Sequence, residues 1–145
     1  MTAYVEGDFN YKLHEDLVLQ SCIKGYDIHT PFIDLFPDGV LVVHKYYASD
    51  GPSGPTFDMC KPRFFFRMLY KKFLMPSFGH DAEYQLIRAG LLPSECRDMA
   101  DQDIRQWCLD RKMWEFRANA IYKGLQLGGG IAASPKSMKK VRQAP

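Results

Sequence analysis

The 145-residue chain is 46% hydrophobic and 25% charged, close to the commonest size for one domain and rich enough in apolar residues for a real core. Its four cysteines (Cys22, Cys60, Cys96, Cys108) lack Cys-x-x-Cys spacing and are too sparse for a secreted disulfide scaffold, so reduced thiols are expected. The net charge of +2 hides a division: residues 1–60 carry 3 basic and 9 acidic side chains, residues 61–145 carry 16 and 8, so a basic face suited to phosphates, anionic lipid or acidic proteins is expected. No run reaches the roughly 20 apolar residues that cross a bilayer. Glu6 and Asp8 stand where a signal peptide needs a cationic and then apolar opening. A soluble chain, not an integral membrane protein, is expected.

In chain order, residues 3–24 alternate imperfectly and read as two short strands around the polar His-Glu-Asp at 14–16. Residues 25–39, with two prolines and two glycines, read as an ordered loop, and the β-branched and aromatic run 38–48 opens at Asp38-Gly39 as the most secure strand. From Lys61 the period becomes helical. Residues 61–75 place Arg63, Arg67 and Lys71 on one stripe and Phe65, Leu69 and Phe73 on another. A second helix is expected from Pro76-Ser77 to a stop at Gly90, a third over 94–113, and a last one ending at Gly128-Gly129-Gly130. Strands followed by helices predict an α+β domain over residues 1–130, a small N-terminal antiparallel sheet packed on three or four helices, with 131–145 as a basic tail that cannot fold alone.

His80 and Asp81 fall in the first turn of the second predicted helix, with Tyr84 one turn later on the face of His80. An antiparallel partner helix would bring Asp101 against His80. A carboxylate that accepts one imidazole N–H fixes the tautomer and leaves the other nitrogen free to take a proton from water, the minimum general base. Asp81 points away from His80 toward any cation, and the glycines of loop 48–58, Gly51 and Gly54, would let backbone carbonyls join it. The plainer account of the same residues is a hydrogen-bonded helix cap.

The stretches YYASDGPSGPTFD, GHDAEYQLIRAGLLP, RDMADQDIRQW and AIYKGLQLGGG resemble, in order and spacing, the DUF1353 family of small phage and prophage proteins over about residues 45–130. The resemblance implies a phage origin and a place in the virion or host cytoplasm. It maps motif positions onto Asp50, Ser53, Gly54, Thr56, Arg88 and Arg97, taken as binding positions, and onto His80, Asp81, Tyr84 and Asp101. The order of Gly-rich loop, H-D-x-x-Y and later Asp is also similar to secreted and viral phospholipases A2. That likeness implies His80 as base, Asp101 as its orienter, Tyr84 as a supporting donor, and Asp81 with the loop as a calcium site. The disulfide framework of the secreted enzymes is missing.

Two functions follow as expectations. One is a virion-associated or accessory protein that docks to capsid or tail proteins through Phe64, Phe65, Arg67 and Lys71 of the cationic helix and Lys139 and Lys140 of the tail. The tail also suits non-specific contact with nucleic acid, and the helix suits an anionic lipid surface. The alternative is a small hydrolase of lipid or cell-envelope esters built on the His-Asp dyad.

Overall fold

The change of hydrophobic period at the end of the first third divides the molecule into strands and helices. The computed structural model describes the backbone of residues 3–6, 9–49 and 63–132, and side chains over 12–48 and 72–128. Strands β1 (Ala3–Glu6) and β2 (Phe9–Leu13) form a hairpin, and β7 (Ala48–Ser49) joins β2 to make a three-stranded sheet. Strands β3 (Leu17–Gln20), β4 (Ile28–His29), β5 (Ile33–Leu35) and β6 (Val40–Val43) make a second sheet, ordered β3-β6-β5-β4 and antiparallel throughout. Helices α1 (Arg63–Arg88), α2 (Cys96–Asp110) and α3 (Glu115–Ala132) follow. The fold is α+β, as the order of patterns predicts.

Side-chain alternation decides which face of the larger sheet is covered. Leu17, Leu19, Ile33, Leu35, Leu41 and Val43 are buried while Val18 is 60% exposed, the period-two signature of a sheet packed on one side. The packed face meets α1, which lies on β3 and β6 and contributes Phe78, Ala82 and Leu86 to the same core. On the opposite face, Asp34 accepts from His29 Nδ1 at 2.9 Å and from His44 Nε2 at 2.6 Å, and His29 Nε2 lies 2.8 Å from Asp27. Burial works to raise the Asp34 carboxyl, but its two imidazole partners outweigh it and hold the group below the ordinary value.

Close approach of α1 to its neighbours is made possible by Gly79. A Cβ there would overlap Leu19 Cδ1 and come within 2.7 Å of Trp107 Cζ3. Alanine is the better helix former by about 1 kcal/mol, but overpacking against a rigid indole costs about 1–3 kcal/mol. Gly79→Ala is therefore expected to lower the denaturation midpoint in urea with an unchanged slope; a rise in midpoint would show that the contact relaxes freely.

Four expectations need correction. Residues 3–24 hold three strands, because the first run divides into β1 and β2, which pair antiparallel with each other. The stretch 25–39 contains β4 and β5, which at 2 and 3 residues are too short to show a period. The helices expected over 61–75 and from Pro76 to Gly90 are one helix that passes through Pro76. Proline removes the backbone donor that would meet the Lys72 carbonyl, yet burial of Leu74 and Phe78 holds the turns on both sides of it, and the Ser77 hydroxyl turns back to the Leu74 carbonyl at 2.6 Å. Helix α3 runs on through the glycines to Ala132. The stop at Gly90 is found where expected: its φ is +75°, and Leu91 N–H bonds to the Leu86 carbonyl while Gly90 N–H bonds to Ile87, a Schellman end that needs the left-handed conformation.

Candidate functional site

The turn at Gly90 reverses the chain, so α2 packs against α1 and brings Asp101 to His80. His80 Nε2 lies 2.8 Å from Asp101 Oδ1, and Tyr84 donates its hydroxyl to the same oxygen at 2.6 Å. The second oxygen, Oδ2, accepts from Gln126 Nε2 of α3 at 2.7 Å. One fully buried carboxylate thus gathers three donors from two other helices, the arrangement that keeps a buried charge satisfied.

With a carboxylate as its neighbour, Nε2 carries the imidazole proton and Nδ1 holds the lone pair. No described residue makes a hydrogen bond at Nδ1, and that atom is not among the described side-chain atoms sealed from solvent without a partner. The His80 and Tyr84 rings lie 4.1 Å apart between centroids, as residues one helical turn apart can. Burial pushes the Tyr84 hydroxyl upward in pKa, with the bond to Asp101 adding to it and the charges of Arg97 and Arg88 opposing it. Tyr84 is thus a permanent donor at neutral pH.

The other expected positions divide clearly. Asp101, Tyr84 and His80 come together. His80 sits deep within α1 instead of in its first turn, because the helix does not restart at Pro76. Arg88 ends α1 and donates to Gln85 at 3.2 Å; its charge and that of Arg97 reach Tyr84. Asp81 is half-buried and close enough to Tyr47 to raise its pKa, on top of a larger rise from burial. Asp50, Ser53, Gly54 and Thr56, and Lys139 and Lys140 of the tail, lie outside the described residues. Phe64, Phe65, Arg67 and Lys71 lie on the first half of α1, where the backbone alone is described.

Calcium takes six to eight oxygen ligands. Among the described residues no group of three or more His, Cys, Asp or Glu side chains is arranged to hold a metal. Asp81 is one carboxylate, which does not make a calcium site by itself, and no chemical step is assigned to the ion.

Sequence reasoning missed a second buried polar group. Ser21 Oγ lies 2.7 Å from Glu83 Oε1 and 2.6 Å from Asp103 Oδ2, and it accepts from Ile23 N–H at 2.9 Å. A hydroxyl has one proton and cannot donate to two carboxylates at once. The balance closes when Glu83 is neutral: its O–H donates to Ser21, and Ser21 donates to Asp103. Complete burial is the main force that pushes Glu83 well above its ordinary value, with the Asp103 charge adding to it. Its Oε2 has no partner. The available signal was a Glu at the third position after His80, on the face that carries Leu86 and Ile87 one turn later.

Beside this group a groove of about 1050 Å³ runs between β3, α2 and α3, lined among others by Ser21, Cys22, Asp103, Arg105, Tyr122 and Lys123. Desolvation, with Asp103 beside it, pushes the Cys22 thiol up to about 12, so it does not serve as a thiolate nucleophile at neutral pH. Neither His80 nor Asp101 lines the groove.

Comparison of the chain with protein-family models, with curated proteins and with solved structures finds no match.

Proposed function

We propose that the chain is a small hydrolase of lipid or cell-envelope esters, of phage or prophage origin, in which His80 is the general base. The observation that supports this reading is the engagement of His80 Nε2 by Asp101 with Nδ1 left to act on water. In this scheme Nδ1 takes a proton as water attacks the ester carbonyl, and returns it to the leaving alkoxide. Asp101 is a positioning residue: it fixes the tautomer and stabilises the imidazolium that forms. Tyr84 and Gln126 hold Asp101 in place through their hydrogen bonds to its two oxygens.

The test is fatty-acid release from phospholipid and lipopeptide esters by the purified chain, with and without added calcium. His80→Asn is expected to reduce turnover roughly 100-fold or more, with some loss of stability because Asp101 is left with two of its three donors; far-UV circular dichroism checks that the fold is kept. Turnover unchanged in that variant, or no turnover on any ester, overturns the reading.

Docking to other virion proteins is the second reading. It is favoured by the position of the cationic half of α1, whose Lys72 donates to the Lys112 carbonyl at 2.9 Å and so meets a second basic segment at the α2–α3 turn. Its own measurement is co-purification with virions, lost on removal of residues 133–145.

A further inference from the structure

Helices α2 and α3 form an antiparallel hairpin, with cross-bonds from Arg105 to Asn119, Tyr122 to Asp98 and Gln126 to Asp101. At its tip two large aromatic side chains face outward: Trp114 is 59% exposed and Phe116 62%. Their rings lie 5.7 Å apart, and the Arg117 guanidinium stands 5.3 Å over Phe116. Met113 and Ala118 take the inward positions of this segment and are buried, which leaves the two rings on its outward side. The same turn carries Arg111 and Lys112, and Lys72 of α1 reaches it through the Lys112 carbonyl.

Cations outnumber acids at the tip. The two nearest acids are engaged back along the hairpin: Asp110 accepts from Gln106 at 2.8 Å, and Glu115 lies 3.9 Å from Arg105. Four cations, Lys72, Arg111, Lys112 and Arg117, stand against these two acids on the segments that meet at the tip, with Arg117 directly over the Phe116 ring. Lys72 is two turns before His80 on α1, about 12 Å along the axis, so the tip stands at the same end of the helical layer as the cationic aromatic half of α1.

We infer that this tip is a docking surface for an anionic lipid bilayer: Trp114 and Phe116 enter the headgroup layer and the four cations meet lipid phosphates. Lipid fits better than a protein partner because a headgroup layer imposes no shape. The tip offers two rings and an excess of cations, and neither described pocket is lined by residues 111–117. Aromatic side chains ringed by Lys and Arg are the composition that binds at that depth, with each cation adding to the attraction. The inference deepens the hydrolase reading by naming where the chain would meet its substrate, and it is tested without turnover.

The experiment is partitioning of the full chain onto vesicles of phosphatidylcholine with phosphatidylglycerol, against phosphatidylcholine alone, read by co-sedimentation and tryptophan emission. Trp107 is 2% exposed and Trp114 is 59% exposed, so a blue shift on adding vesicles reports Trp114. Binding is expected on the anionic vesicles with a blue shift, and release in roughly 1 M salt. The double variant W114A/F116A is expected to bind roughly tenfold more weakly with no shift, and R111Q/R117Q roughly 30-fold more weakly. His80→Asn should bind as the wild type does, so loss of the hydrolase reading leaves this result standing. No binding, equal binding to neutral vesicles, or anionic binding unchanged in both double variants overturns the inference; no vesicle binding together with Trp114 shielded in a virion complex would assign the tip to a protein.

Discussion

Asp101→Ala is expected to lower the unfolding free energy by about 3–5 kcal/mol, the range for removing one partner from a buried, hydrogen-bonded charged group. The side chain is fully buried and accepts from His80, Tyr84 and Gln126. Truncation leaves all three donors without an acceptor and opens space where three helices meet. Chemical denaturation of the wild type and variant measures the loss. A cost under about 1 kcal/mol would mean that water enters and replaces the carboxylate, so the site would be wet and loosely held. Asp101→Asn separates folding from chemistry: it keeps the volume and loses the charge. Turnover that falls while most of the stability is retained is the signature of a positioning residue.

The second large effect belongs to Glu83 and has a definite sign. Its folded pKa lies well above the ordinary 4.5. Between those two values the native protein keeps a proton that the unfolded chain has released, so stability is greatest at low pH and declines as pH rises through that window. The slope approaches about 1.4 kcal/mol per pH unit. Glu83→Gln removes this dependence and supplies a permanent N–H to Ser21 Oγ. The variant is expected to match the wild type near pH 4.5 and to exceed it by roughly 1–3 kcal/mol at pH 8. Melting curves across that range decide it: parallel curves would mean that Glu83 is ionised in the folded protein and that its proton sits elsewhere in the group.

Much of this was legible in the chain because the signals were local. Gly90 stops a helix for a steric reason that sequence displays directly, and the reversal it causes puts Asp101 within reach of His80. Gln126 was not legible as the third donor, since an amide in the last helix announces neither burial nor direction. Glu83 was hidden by a default, that a Glu on a helix is solvated; only its place one turn before the apolar Leu86 and Ile87 argued otherwise. Pro76 misled because its local cost was weighed without the core that overrides it. Strands β4 and β5 have too few residues to show alternation, and they form by successive pairing, β5 on the edge of β6 and β4 on the edge of β5.

The two buried polar groups also differ in how far apart along the chain their members lie. His80 and Asp101 are 21 positions apart and Asp101 and Gln126 are 25, whereas Ser21 and Asp103 are separated by 82. Closing the longer loop costs about 1.2 kcal/mol more in chain entropy, and it must wait for the sheet. The dyad therefore belongs to a self-contained stretch of helical chain, and Ser21 is the rivet by which the sheet is fastened to it. An insertion in the chain between β7 and α1 would lengthen the second closure and leave the first untouched.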